Sequence, residues 1–274
     1  MYEFRNLENI SIEDLAGTWN LAFSDYIVDM EMSPERLEAY FKISGVDFSL
    51  SFGAFHEGAL VGMLMNSVDI YKGRKVAYDA MTGIAPKHRG KGLFSALFEY
   101  TKKVLIEDGI THYYLEVIQT NERAYNIYSA KGGKVEREYT FLKGRADRDP
   151  VNPHEIRFRP LSDFSGGELC DYEPSFSNRV SAMRRNAGDY KVAILETENG
   201  KSSVVINTQG RITQAGYEGP EGKALLGAIL FRLSQDFEEL EISNIPSTET
   251  ELINELKSNG FIVKVDQYEM CIAF

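Results

Sequence analysis

The chain has 274 residues, 43% hydrophobic and 26% charged, a globular mixture that excludes collagen, mucin and wholesale disorder and allows two compact domains. Its 41 acidic side chains outnumber 30 basic ones, a net charge of −11 that disfavours nucleic acid and anionic membranes and suits a cationic partner such as an amine. No apolar run approaches the ~20 residues that span a bilayer, the N-terminus does not read as a signal peptide, and two cysteines, Cys170 and Cys271, cannot build a disulfide framework, so a cytoplasmic protein with reduced thiols is expected.

The first half opens with a short strand over 2–7. Ser11 then caps a helix, with Asp14 three residues on, and Ser33 caps another that has Pro34 in its first turn. Strands follow near 48–55, 59–70 and 75–85, the first two joined by a tight turn at His56-Glu57-Gly58. Past Arg89-Gly90-Lys91-Gly92 the spacing of Leu93, Leu97, Tyr100, Val104 and Leu105 predicts a long helix. A strand over 113–118, a helix over 122–131 ended by Gly132-Gly133, and a last strand to about 142 complete the order βααβββαβαβ.

A polar stretch with two prolines, 146–153, reads as a linker, giving domains at 1–145 and 154–274. The second half repeats the first. A strand at 156–161 leads to two helical stretches, the second over 176–186. Strands near 190–197 and 202–208 are joined by Asn199-Gly200, a two-residue hairpin signal. A strand at 211–217, a helix at 221–235, a strand at 239–243, a helix at 248–258 and a final strand follow. The expected fold class is α+β (α/β): two domains of one topology in tandem, each a mixed, mostly antiparallel sheet flanked by helices.

Chemistry concentrates at the strand-to-helix junction Thr82-Gly83-Ile84-Ala85-Pro86-Lys87-His88-Arg89-Gly90-Lys91-Gly92-Leu93-Phe94. A helix start offers unpaired N–H groups and the positive end of a dipole, and glycines let an anion approach the backbone. With Lys87, Arg89 and Lys91 beside them, these features predict a phosphate or pyrophosphate site; the other reading is a glycine turn with solvated charges. The junction is neither a Walker loop nor a dinucleotide fingerprint. His56, His88, His112 and His154 show no ligand spacing, and no metal site is expected.

On these residues the first half resembles the Gcn5-related N-acetyltransferases, the GNAT superfamily. The family's phosphate loop, Arg/Gln-x-x-Gly-x-Gly/Ala, is matched by Arg89-Gly90-Lys91-Gly92-Leu93-Phe94, with Phe94 where Gly or Ala is usual. Its second signature, Asn-x-x-Ala-x-x-x-Tyr, is matched by Asn121-Glu122-Arg123-Ala124-Tyr125-Asn126-Ile127-Tyr128, with Gly132-Gly133 in place of Gly-Phe. The resemblance covers nearly all of 1–145. The stretches Ala22-Phe23-Ser24-Asp25-Tyr26 and Leu115-Glu116-Val117-Ile118 are also similar to a bacterial subgroup of tandem GNAT proteins.

The resemblance implies acetyl-CoA as co-substrate, held between the strands near 75–85 and 113–118. The backbone at Gly83, Ile84 and Ala85 would pair with the pantetheine arm, and the N–H groups of Arg89, Gly90, Lys91, Gly92, Leu93 and Phe94 would cradle the pyrophosphate. Asn121 would contact the pantetheine or its neighbouring backbone, and Tyr128 would face the sulfur. The implied reaction is direct acetyl transfer to the amine of a small molecule or peptide. A backbone N–H near Gly83 or Ile84 would steady the oxyanion, and Tyr128 would supply a proton to the leaving thiolate. No cysteine lies in 1–150, which excludes a thiol acyl-enzyme there. Glu116, Asp79 or water would take the amine's proton. A different class of reading is a non-catalytic acyl-CoA sensor or interaction module. The sequence does not indicate an oligomeric state.

The second half looks like a degenerate GNAT domain. Setting Gly222-Lys223 on Gly90-Lys91 puts Glu221 at the place of Arg89, so that Glu218 and Glu221 would repel phosphates. Setting Gly260-Phe261 on Gly132-Gly133 puts Glu249 at Asn121 and Leu256 at Tyr128. Its expected role is to wall a substrate groove or bind a partner.

Overall fold

A computed structural model describes residues 1–25, 30–147 and 155–274. Tyr26, His154 and most of the 146–153 linker lie outside the described residues. The chain packs into two compact units: Met1–Leu115 with Tyr128–Lys134 and Cys271–Phe274, and Glu116–Ile127 with Val135–Met270. The packing division therefore differs from one drawn at 146–153. Residues 135–144 join the second unit because their strand pairs with one of its strands, Leu240 opposite Gly144 and Ile242 opposite Leu142.

Residues 1–129 follow the order read from the sequence: β1 (Tyr2–Asn6), α1 (Ile12–Phe23), α2 (Pro34–Ser44), β2 (Phe52–His56), β3 (Ala59–Tyr71), β4 (Arg74–Ile84), α3 (Leu93–Glu107), β5 (His112–Ile118) and α4 (Glu122–Ser129), with 116–127 counted in the second unit. Ser11 and Ser33 cap α1 and α2 by accepting from the N–H groups of Asp14 and Arg36, which satisfies a donor that each helix start leaves orphaned. The predicted strand at 48–55 is shorter. Asp47 accepts from the N–H groups of Ser49 and Leu50, winding 48–50 into a 3-10 turn. Strands β1 to β4 pair antiparallel in sequence order and β5 adds in parallel. The core is aromatic and aliphatic: Trp19, Leu15, Leu37 and Phe41 of α1 and α2 are buried against Met63, Met65 and Met81 of the sheet.

The second unit contains β6 (Lys134–Gly144), β7 (Arg157–Pro160), α5 (Val180–Met183), β8 (Tyr190–Thr197), β9 (Gly200–Asn207), β10 (Arg211–Glu218), α6 (Gly222–Leu233), β11 (Leu240–Pro246), α7 (Thr250–Ser258) and β12 (Phe261–Ala273). Its strands run in the order β12-β6-β11-β10-β9-β8-β7. The topology repeats except between β7 and β8. There, two helices were expected, and the chain makes only short 3-10 turns and the one-turn α5. Gly166, Gly167 and Pro174 interrupt this stretch, and each disfavours a helix interior. The core gathers Leu225, Leu226, Ile229, Leu230 and Leu233 of α6 on Val204, Ile206, Ile212 and Ala215 of the sheet.

Candidate active site

The site grows from an irregularity in β4. Met65 faces Met81 and Asn66 faces Asp79, so Ala80 is an extra residue with no partner, a β-bulge. Tyr40 secures it by donating to the Ala80 carbonyl at 2.8 Å. The parallel pairs of β4 with β5 end at Tyr78 and Tyr114, one residue before Asp79. Beyond this point Gly83 allows α1 to come close: a Cβ there would sit 3.0 Å from Ala22 Cβ and 3.3 Å from the Phe23 ring.

The chain then enters α3 through residues 85–92. Gly90 (φ 72°) and Gly92 (φ 74°) both adopt the left-handed conformation, which accounts for glycine at these two positions. Gly92 is the N-cap of α3 and provides no side-chain cap. Among the described residues, no backbone or side-chain acceptor takes the N–H groups of residues 90–95. The run of free donors sits at the positive end of a helix dipole, an arrangement suited to a phosphate-bearing ligand.

The basic side chains around the loop are less available than their charge suggested. Arg89 donates through Nε to the Ile84 carbonyl at 2.8 Å, through Nη2 to the Ala22 carbonyl, and pairs through Nη1 with Asp25 at 2.7 Å. It acts as a strut between the end of β4 and the end of α1, and its backbone N–H donates to the Pro86 carbonyl at 3.2 Å, so that, contrary to the sequence expectation, Arg89 offers no free donor to the loop. Lys91 Nζ donates to the Lys87 carbonyl at 2.9 Å. Leu93 is buried in the core. Phe94, the departure from the family loop, packs its ring edge-on against Tyr128, with centroids 5.5 Å apart, and stacks on Phe98.

Tyr128 is 8% exposed and donates its hydroxyl to Asp79 Oδ2 at 2.6 Å. Thr82 donates to both oxygens of the same carboxylate, at 2.8 and 2.9 Å. Burial pushes the Asp79 carboxyl above its ordinary range, against the opposing pull of these hydrogen bonds. Burial and then the Asp79 charge hold the Tyr128 phenol well above the usual phenol range. Tyr113 stands beside the pair and donates to Asn66 Oδ1 at 3.0 Å. The structure thus brings together Asp79, Tyr128 and Phe94, with Thr82, Tyr113 and Asp25 as partners that sequence reasoning missed. Hydroxyl and carboxylate residues on strands carry no spacing signal of their own.

Asn121 and Glu116 belong to the second unit. Asn121 Oδ1 accepts from the Ala124 N–H at 3.1 Å, capping α4. Glu116 Oε2 accepts from Asn244 Nδ2 at 2.7 Å. Burial pushes the Cys170 thiol up to about 12, which keeps it from acting as a nucleophile at neutral pH. Among the described residues no cluster of His, Cys, Asp or Glu could hold a metal ion, and no helix is long and apolar enough to cross a membrane.

The second unit repeats the irregular strand without the chemistry. Strand β10 also bulges, at Thr213, and its parallel pairs with β11 are Arg211 with Glu241 and Ile212 with Ile242. Superposing the bulges sets Ile212 on Asp79. Leu256 of α7, which the sequence register sets on Tyr128, is fully buried. Residues 219–221 alone separate β10 from α6, against 85–92 in the first unit. Gly222 and Lys223 therefore lie inside α6 and have no counterpart in the phosphate loop, contrary to the register expected from the sequence. The loss of a loop, more than the repulsion of Glu218 and Glu221, sets the halves apart. The edge of β10 is also taken: the Ala215 N–H donates to the Tyr172 hydroxyl at 3.2 Å, and Asn178 accepts from Gln214 and donates to the Ser243 carbonyl.

Known proteins share parts of this sequence and its fold. Residues 13–132 match the model of the acetyltransferase (GNAT) family. Over 124 residues the chain is 28% identical to the N-alpha-acetyltransferase MAK3 of Arabidopsis thaliana, covering 45% of this chain and 65% of that protein. A tandem GNAT protein from the clavulanic acid biosynthesis pathway superposes with a TM-score of 0.66 at 13% identity, over 100% of this chain and 98% of its own. A GCN5-related N-acetyltransferase from Sphaerobacter thermophilus gives 0.65 at 15% identity, over 98% and 95%. Residues 13–132 are thus similar to the acetyltransferase (GNAT) family, and the chain as a whole shares the fold of a tandem GNAT protein.

Proposed function

We propose that the protein transfers an acetyl group from acetyl-CoA directly to the amine of a small molecule or peptide. The observation that carries this reading is the run of unclaimed N–H groups over residues 90–95, next to the buried hydroxyl of Tyr128. Acetyl-CoA supplies the activated thioester. The N–H groups of Gly90 to Phe94 hold the pyrophosphate, and the Gly83–Ala85 backbone aligns the pantetheine as an added strand would. Tyr128 Oη, its ring fixed by Phe94, gives a proton to the departing sulfur. Asn121 enters through the family motif alone. Of the carboxylates the sequence offers for the amine's proton, Asp79 is engaged with Tyr128 and Thr82, which leaves Glu116 or water; Glu116→Gln separates these by the loss or retention of turnover.

The test is an acetylation screen of a panel of primary amines, polyamines, aminoglycosides and peptides with acetyl-CoA, products being weighed by mass spectrometry. Addition of one acetyl group to an amine supports the reading. Binding of acetyl-CoA with no acetylated product from any amine would contradict it and favour a sensor.

A further inference from the structure

Asp79 is the first residue of β4 past its last pair with β5, and its hydrogen-bonding neighbours are neutral donors. Tyr128 of α4 and Thr82 of β4 donate to its carboxylate, the Met81 N–H adds a backbone bond, and Tyr113 of β5 lies alongside. The groups that hydrogen-bond its carboxylate are all neutral. A phenol has a single hydrogen. While Asp79 is ionised, Tyr128 spends that hydrogen on the carboxylate and has none to offer elsewhere. A protonated Asp79 reverses the bond: its own O–H donates to Tyr128 Oη, and the phenol hydrogen is free to turn away. The second unit provides a natural control. Where the phosphate loop has gone, both members of the pair have gone with it, Ile212 and Leu256 being apolar and fully buried.

On the acyl-transfer reading of this site, we propose that Asp79 acts through Tyr128, donating to the phenol oxygen, aiming the phenol hydrogen at the departing sulfur and replacing that hydrogen as it leaves. As the C–N bond forms, the C–S bond breaks and sulfur keeps the electron pair. The Tyr128 proton passes to sulfur, the Asp79 proton passes to Tyr128 Oη, and Asp79 ends as a carboxylate. The nitrogen's surplus proton goes to solvent and solvent returns one to Asp79, so that neutral amine and thioester give amide and thiol. Asp79 is thus a positioning residue and a proton store, and not the base that deprotonates the amine. Because burial raises its carboxyl, the protonated form persists to higher pH than for an ordinary aspartate. Turnover then declines as pH rises through the Asp79 titration.

The experiment measures kcat from pH 5 to 9, with saturating acetyl-CoA and the best primary amine of the panel, for wild type, Asp79→Asn and Asp79→Ala. Asparagine resembles a permanently protonated aspartate. Asp79→Asn keeps the donor but has no proton to pass to Tyr128 Oη, so it should lose the alkaline decline and about tenfold in kcat at the acid end, while Asp79→Ala, which loses donor and proton alike, should lose about 10²-fold in kcat with little change in the KM for acetyl-CoA. An Asp79→Asn profile that keeps the alkaline decline, or turnover abolished at every pH as for a lost amine base, overturns the proposal. Carbon-13 NMR titration of aspartate carboxyls in the full chain gives a second readout. The Asp79 signal should titrate above the ordinary range and move further up in Tyr128→Phe, which removes a donor to the carboxylate. A signal in the ordinary range, unmoved by that substitution, also overturns it. Absence of turnover with every amine would instead overturn the acyl-transfer reading, and the role at sulfur with it, while the titration would still report whether the two groups are coupled.

Discussion

The two strand-to-helix junctions of this chain share a scaffold and differ in what they can bind. Each begins with a strand that bulges and ends its parallel pairing near the bulge. In the first, eight residues with two left-handed glycines lead into α3 and leave donors unclaimed. In the second, three residues lead into α6, and the freed strand edge is met by Tyr172. The hydrogen-bonded pair Asp79–Tyr128 is replaced by the apolar Ile212 and Leu256. A fold can thus be duplicated while its chemistry is carried by a loop length and a few side chains, which is why function follows the site more than the scaffold.

The comparison can be broken most forcefully by moving a group from one junction to the other. Ile212→Asp would bury a carboxylate without the donors that surround Asp79, and should cost about 3 kcal/mol or more. Urea titration should show the midpoint falling at an unchanged slope. A variant as stable as wild type would mean that the second junction still tolerates the polar pair. The next largest effect is on the first junction. Tyr128→Phe keeps the ring against Phe94 and removes the hydroxyl, so kcat should fall by about 10²-fold or more, with acetyl-CoA binding little changed. A wild-type rate at saturation would make Tyr128 a packing residue only.

A smaller effect is expected at the loop. Gly92→Glu places a carboxylate at a φ of 74° where an anion should approach, and should weaken acetyl-CoA binding by more than about tenfold, roughly 1.4 kcal/mol. Gly92→Ala separates backbone strain from charge. It carries the same conformational cost and no charge, so calorimetry should place its affinity between those of wild type and Gly92→Glu. Equal losses in the two variants would assign the effect to strain alone.

Much of the fold was legible because its signals are local. Ser11 and Ser33 cap where capping residues should, Gly92 opens α3, and Glu57-Gly58 turns the first hairpin; the second turns one residue earlier than expected, at Glu198-Asn199, with Gly200 already paired to Thr197. Between β7 and β8 the two expected helical stretches shrink: Gly166, Gly167 and Pro174 interrupt the first, and the second, expected over 176–186, winds only into 3-10 turns and the one-turn α5. Strand β6 could not be assigned to the second unit because strand pairing is non-local. At the site, motif spacing located the loop and Tyr128. It could not reveal that Arg89 is spent on Asp25 and two carbonyls, that Asn121 caps its own helix, or that Asp79 and Tyr128, 49 positions apart, share a hydrogen bond.

The contrast between the junctions is tested most directly by counting ligands. Equilibrium dialysis of the full chain against radiolabelled acetyl-CoA, with Gly92→Glu as the companion sample, should give one molecule per polypeptide for wild type and a marked loss for the variant. Two molecules per polypeptide, or one that survives Gly92→Glu with undiminished affinity, would contradict the assignment of the site to the first junction.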